Sequence, residues 1–118
     1  MALVLIVEDE ETILNYLACE LENFGFDVLK ATNGIDALQL AIENRKKLSL
    51  ILSDFIMPRM NGLELFKKTR FHKIPFIMTT GYKDDLMAKL GSASENISVL
   101  EKPVESEDLE ECVKQYLS

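Results

Sequence analysis

Five short apolar runs punctuate the chain, at Leu3 to Val7, Phe26 to Lys30, Ser49 to Ser53, Pro75 to Thr79 and Ile97 to Glu101, with longer amphipathic stretches between and after them. This alternation predicts an α/β fold, a parallel sheet whose strands are joined by crossover helices. The middle runs lack polar alternation, as strands covered on both faces do. Five helices fit the intervals. The first, about Glu11 to Phe24, places Ile13, Leu14, Leu17, Leu21 and Phe24 on one face with Gly25 as its stop. The second, about Gly34 to Asn44, has Asn33 as N-cap and is expected to turn Ile35, Leu38 and Ile42 inward. The third starts at Gly62 after Asn61. The fourth, Lys83 to Leu90, is short, and the poor helix formers Gly91-Ser92-Ala93-Ser94 that follow are expected to be mobile. The fifth repeats Leu109, Cys112, Val113, Tyr116 and Leu117 at helical spacing, with Ser106 as the expected cap.

A chain of 118 residues with 47% apolar side chains is read as a single domain spanning positions 1 to 118. At this length about 65% of the unfolded surface can be buried without staples. Against 20 Asp and Glu stand 13 Lys and Arg, a net charge of −7. Such a surface repels phosphate backbones and anionic lipid unless a basic stripe offsets it, and no stripe is apparent in the sequence. Neither direct nucleic-acid binding nor a membrane partner is expected. No apolar run approaches the ~20 residues of a membrane span. The apolar start, Ala2 to Val7, lacks a preceding basic stretch and runs into acids, the wrong order for a secretory signal, so the cytoplasm is the expected compartment. Cys19 and Cys112 are far apart and read as reduced thiols.

In an open parallel sheet, function gathers beyond the carboxyl ends of the strands. Glu8, Asp9, Glu10 and Glu11 follow the first run, Asp54 the third, Thr80 and Gly81 the fourth, and Lys102-Pro103 the fifth. Three acids brought together repel: two unit charges ~4 Å apart cost about 4 kcal/mol at an effective dielectric near 20. A Mg²⁺ held by carboxylates with retained waters is the natural counter-charge, and Lys102 is a second. Asp54 at the mouth of a buried strand could act as a nucleophile toward phosphorus. Thr80 and Lys102 could then position and neutralise the phosphoryl oxygens.

The acid pair after the first strand, the segment Asp54-x-x-Met57-Pro58-x-Met60-Asn61-Gly62, Thr80-Gly81 and Lys102-Pro103 together resemble the receiver domain of bacterial two-component response regulators, across almost the whole chain. The resemblance implies a flavodoxin-like doubly wound fold of strand order 2-1-3-4-5. It implies that Asp54 accepts a phosphoryl group from a phosphohistidine of a sensor kinase or histidine phosphotransfer domain. Mg²⁺ would be held by Glu8, Asp9, Asp54 and the Ile56 backbone carbonyl. A cis peptide before Pro103 would aim Lys102 into the pocket. The output surface would be the fourth helix, fifth strand and fifth helix. Such a domain catalyses its own phosphorylation and dephosphorylation without being a turnover enzyme.

The chain departs from that family at Val99, where Tyr or Phe is usual and rotates with the Thr; Tyr82 is the nearest aromatic substitute. Ile56 and Tyr82 occupy the two variable positions that in that family border the path of hydrolytic water, and both are bulky, so the resemblance implies slow loss of phosphate. The only Lys or Arg of the last helix is Lys114, which disfavours the mixed-charge dimer seam of common DNA-binding regulators. Taken singly, the residues have ordinary roles: Glu8 to Glu11 as a dipole-favoured helix start, Asp54 as a capping acid, Thr80 as a strand-end hydroxyl, Lys102 as a surface cation. The acids from Glu101 to Glu111 read as a solvated face, Met57-Pro58 as a turn, and His72 as exposed. Three other functions compete. A haloacid-dehalogenase-type phosphatase needs a second acid where Ile56 stands, a flavodoxin would have its phosphate repelled by Glu8 to Glu11, and a degenerate receiver would only bind a partner. The sequence leaves open the kinase, the signal, and whether the domain stands alone or belongs to a hybrid kinase or longer regulator.

Overall fold

The computed structural model describes residues 2–90 and 97–117. Five strands, β1 (Leu3–Val7), β2 (Asp27–Ala31), β3 (Leu48–Asp54), β4 (Phe76–Thr80) and β5 (Ile97–Glu101), alternate with α1 (Glu11–Asn23), α2 (Gly34–Glu43), α3 (Gly62–Thr69), α4 (Lys83–Leu90) and α5 (Ser106–Leu117). All pairings are parallel, in the order β2-β1-β3-β4-β5. This is the flavodoxin-like arrangement expected. The apolar runs of β1, β3 and β4 are buried from both sides because alternate residues feed separate cores. Val4, Ile6, Leu50, Leu52 and Ile77 pack under α1 and α5. Leu5, Val7, Ile51, Phe76 and Met78 pack under α2, α3 and α4.

Strand bounds differ from the sequence reading by one residue at several ends, and two differences matter. Asp54 and Thr80 are the last residues of β3 and β4 rather than the first beyond them. The ladder continues past them: the Phe55 amide donates to the Thr79 carbonyl at 2.9 Å and the Lys102 amide to the Thr80 carbonyl at 2.8 Å. Both side chains are thereby fixed by sheet geometry.

Helix α1 buries Leu14, Leu17, Ala18 and Leu21. It ends as expected at Gly25, whose φ of 98° closes the last turn, with the Gly25 amide on the Glu22 carbonyl and the Phe26 amide on the Leu21 carbonyl. Asn33 caps α2, accepting from the Asp36 amide at 2.9 Å. The inward face of α2 is not the one expected. Gly34, Ala37 and Ala41 are buried, Leu38 is half-buried, and Ile35 and Ile42 are 40% and 45% exposed. The helix is rotated toward its small residues because a Cβ at position 34 would collide with the carbonyl oxygen of Met60. Close approach wins over the larger apolar groups.

Asn61 and Glu64 form a reciprocal capping box on α3. A 3₁₀ turn, Arg70–His72, follows that helix. His72 is half-buried, not exposed, its ring centroid 4.2 Å from that of Phe71. Helix α4 forms over Lys83–Leu90 on Leu86 and Leu90; the mobility expected at Gly91 to Ser94 lies outside the described residues. Ser106 does not cap α5. It lies inside the first turn, since the Leu109 amide bonds the Glu105 carbonyl, and its hydroxyl donates to Glu20 Oε2 at 2.8 Å. Cys19 and Cys112 are free, and burial pushes the Cys112 thiol up. Among the described residues no helix is long and apolar enough to cross a membrane.

Candidate functional site

The carboxyl ends of β1, β3, β4 and β5 converge on one edge of the sheet. Glu8 leaves β1 with its amide on the Ala31 carbonyl at 3.1 Å, and its side chain is 1% exposed. One carboxylate oxygen of Glu8 accepts from the Glu10 amide at 3.1 Å and the other from Lys102 Nζ at 3.0 Å. Asp54 is 8% exposed, and its Oδ2 is 3.1 Å from the same ammonium. Asp9 is exposed at the mouth of the same cavity. One carboxylate oxygen from each of Glu8, Asp9 and Asp54 lies within 4.8 Å of the others. That is a donor set of hard oxygens sized for a divalent cation.

Burial is the largest influence on the two inner acids. It raises the Asp54 carboxyl above its ordinary value, against Lys102 and the Ile56 amide, with the Asp9 charge adding to the rise. Burial likewise raises Glu8, against the Glu10 amide and Lys102, with the Asp54 charge adding. For Lys102 burial acts downward, but its bonds to Glu8 and Asp54 outweigh it, and the ammonium titrates above its ordinary value. One cation shared by two buried acids, with a third acid at the rim, leaves negative charge in excess. The excess is what a bound cation would neutralise.

A cavity of about 430 Å³ opens on this cluster, lined by Asp9, Asp54, Ile56, Thr80, Tyr82 and Lys102 among others. Thr80 is 1% exposed, and its Oγ1 accepts from the Tyr82 amide at 2.9 Å. That bond links Thr80 to the backbone of the aromatic singled out from sequence. Ile56 and Tyr82 form the open rim, 57% and 62% exposed. Gly81 is exposed, and a Cβ there would meet nothing within 4 Å. The Lys102–Pro103 bond is cis.

Val99 does not reach this cavity. On β5 it pairs with Met78 of β4, and it lines a separate cleft of about 420 Å³ between α4 and α5, together with Ser98, Asp108, Glu111 and Cys112. A third cavity, about 410 Å³, lies between α1 and the segment Lys102 to Val104, with Thr79 in its wall. Thr79 Oγ1 is buried without a hydrogen-bond partner. Two residues named in the sequence reading have contributions it did not assign. Glu10 lines the cavity and its amide fixes Glu8. Gly62 packs directly on the carbonyl of Asp54, a steric role beyond the helix start and the motif position that the Asn61-Gly62 pair was read as.

The sequence profile of the response regulator receiver domain matches residues 4–114. The chain is 35% identical over 118 residues to a CpxR homologue, a transcriptional regulatory protein of Haemophilus influenzae, covering 99% of this chain and 51% of that protein. It is 32% identical over 118 residues to the sensor kinase CckA of Brucella abortus, covering 98% of this chain and 12% of that one. The chain thus spans about half or less of the length of these curated relatives. Among solved structures, the receiver domain of the hybrid histidine kinase CckA superimposes with a TM-score of 0.85 at 34% identity, over 99% of this chain and 100% of that one. The chemotaxis regulator CheY4 of Vibrio cholerae superimposes with a TM-score of 0.86 at 30% identity, over 98% of each chain.

Proposed function

The chain belongs to the response regulator receiver domain family, and from that premise we propose that residues 1 to 118 form a single phosphoacceptor domain in which Asp54 is the group modified. The observation that carries the reading is the shared ammonium: Lys102 holds Glu8 and Asp54 together beside an open cavity. In that position Lys102 can transfer from carboxylate to phosphoryl oxygen without leaving the pocket.

In the reaction, one Asp54 carboxylate oxygen attacks the phosphorus of a phosphohistidine. The new O–P bond forms as the N–P bond breaks, and the imidazole nitrogen recovers a proton from solvent. Lys102 pairs with one phosphoryl oxygen and the Thr80 hydroxyl donates to another, so charge is met where it develops. Glu8, Asp9, Asp54 and the Ile56 carbonyl would hold Mg²⁺, and the excess negative charge of the three acids supports that fit. When bound, Mg²⁺ supplies the remaining neutralisation of the transferring group. Thr80 then carries the change outward through its bond with the Tyr82 amide. With Val99 in the α4–α5 cleft, Tyr82 is the aromatic that reports the state of Asp54.

A sensor kinase or histidine phosphotransfer domain is the donor, the output partner uses α4, β5 and α5, and the domain works in the cytoplasm as a switch rather than a turnover enzyme. The test is an intact-mass time course with acetyl phosphate, with and without Mg²⁺, on wild type and Asp54→Ala. A Mg²⁺-dependent gain of about 80 Da, one phosphoryl group, that vanishes in the variant is expected. No adduct in any condition would leave a receiver fold used for binding alone.

A further inference from the structure

The net negative charge conceals a segregated layout. Seven of the 13 Lys and Arg fall in two short stretches, Arg45-Lys46-Lys47 and Lys67-Lys68-Thr69-Arg70-Phe71-His72-Lys73, and no acid occurs from 44 to 53 or from 65 to 83. The sequence separates these stretches and the fold joins them. The first leads α2 into β3 and the second leads α3 into β4. β3 and β4 are neighbours, and the Ile51 amide donates to the Pro75 carbonyl at 3.0 Å. Both stretches therefore enter the sheet side by side at its amino-terminal edge, and the basic stripe that the sequence did not reveal is assembled there.

All seven cations are exposed, and none makes an ion pair among the described residues. A helix dipole accounts for Lys67 and Lys68 in the last turn of α3. It does not account for the apolar groups beside them. Phe71 is 71% exposed, braced by the His72 ring, and Ile42 is 45% exposed where the Arg45 guanidinium bonds its carbonyl at 2.9 Å. The acids closest in sequence to the two stretches are Glu43, which ends α2, and Glu64 in the first turn of α3, and Asp27 opens β2 at the same end of the sheet. The acidic cluster of the site lies at the other end of strands of five to seven residues, roughly 17–23 Å away and so about two Debye lengths or more in physiological salt. The positive edge thus survives the net charge of the whole.

We propose that this edge is a peripheral docking surface for an anionic lipid bilayer, with Phe71 and Ile42 entering the headgroup layer and the seven cations meeting lipid phosphates. Clusters of about four to eight Lys or Arg are of the size that draws proteins to anionic lipid. A patch without a covalent lipid anchor gives reversible binding. A nucleic acid could engage the cations and stack on Phe71 but would leave Ile42 in water, whereas a bilayer takes both. None of the three cavities described above is lined by residues of this edge, as suits a broad surface contact. Docked in this way, the domain holds the Asp54 cavity away from the membrane and open to a partner.

The test uses the full chain with vesicles of phosphatidylcholine, with or without phosphatidylglycerol. The chain contains no Trp, so F71W places a single Trp, selectively excited apart from the three Tyr, at the proposed point of entry. Co-sedimentation on the anionic vesicles should exceed that on phosphatidylcholine by roughly tenfold at about 0.05 M salt and fall away by about 0.5 M. The variant K46E/K47E/K67E/K68E should lose that excess while keeping its circular dichroism spectrum and its phosphorylation by acetyl phosphate. F71W emission should shift to the blue with anionic vesicles only. Equal binding to both vesicles, or unchanged binding by the charge-reversed variant, would overturn the proposal. Retention on single-stranded DNA with no emission shift on vesicles would also overturn it, and would assign the edge to nucleic acid.

Discussion

Lys102 Nζ stands 3.0 Å from Glu8 Oε1 across 94 positions of sequence, and Glu8 is almost wholly buried. The pair closes the first strand end against the last. Lys102→Ala leaves two buried carboxylates facing each other, and removing one member of a buried pair costs about 3 kcal/mol. The metal-free variant should therefore unfold at markedly lower urea than wild type, with Mg²⁺ recovering part of the difference. An unchanged urea midpoint in EDTA would show that the acids are neutralised some other way.

Asp54→Asn should act in the opposite direction. The folded-state pKa values of Asp54 and Glu8 are raised from ordinary values of 3.8 and 4.5, mainly by burial. A carboxyl raised on folding contributes stability that is present in acid, below its unfolded value, and is lost as pH rises through its folded value. Metal-free wild type should thus lose stability as pH climbs from about 4 toward neutrality. In Asp54→Asn that fall should be shallower, because one of the two raised groups is gone. Stability curves of equal slope would contradict this.

Thr79 offers a separate gain. Its hydroxyl is buried and unpartnered, and an unsatisfied buried polar group costs about 1–3 kcal/mol. Thr79→Val keeps the shape and removes the oxygen, so it should stabilise by about 1 kcal/mol in urea denaturation. A loss of stability would mean that the hydroxyl is satisfied in solution, by water for example.

With Asp54 phosphorylated as proposed, the rim residues Ile56 and Tyr82 are expected to set phosphoryl lifetime. Both are exposed at the mouth of the cavity, where bulky side chains would narrow the approach of water. Replacing both with small side chains, Ile56→Ala with Tyr82→Ala, should speed loss of phosphate by about tenfold, ~1.4 kcal/mol of barrier. The decay of the phosphorylated mass after acetyl phosphate is removed gives the rate, and an unaltered decay would free the rim of this role.

Gly62→Ala should damage the site without touching its functional groups. A Cβ there would collide with the Asp54 carbonyl and lie 2.5 Å from Met78 Sδ and 3.1 Å from Phe55 Cα. Overpacking of this kind costs about 1–3 kcal/mol. Phosphorylation should slow together with the drop in thermal midpoint, as the end of β3 shifts.

The strand ends were legible because burial on both faces writes an unbroken apolar run, and the residues just past each run become the site by topology alone. Asn33, Gly25 and the Asn61 cap could be read for the same kind of reason: each performs a local backbone task. The inward face of α2 could not be read. Ile35 and Ile42 outrank Ala37 and Ala41 in apolar content, and only the Met60 backbone beside Gly34 shows why the small residues face in. Ser106 has the chemistry of a cap, yet its hydroxyl goes to Glu20, 86 positions away. The basic edge was hidden because its halves stand on either side of β3 in the sequence, and the strand order implied by the resemblance, which sets β3 beside β4, was not applied to the charges.

The site's supports differ in firmness. Glu8, Asp54 and Thr80 hang from β1, β3 and β4, which are inner strands, whereas Lys102 hangs from β5, the outermost strand on its side, half-buried along most of its length. Outer strands are the ones that open first in local fluctuations. Each fraying of β5 therefore carries off the Lys102 ammonium and leaves the acids behind, a state that binds a divalent ion more tightly than the closed one, so hydrogen exchange at the β5 amides should quicken when a divalent ion is added, even though the acids that would hold the ion lie on other strands.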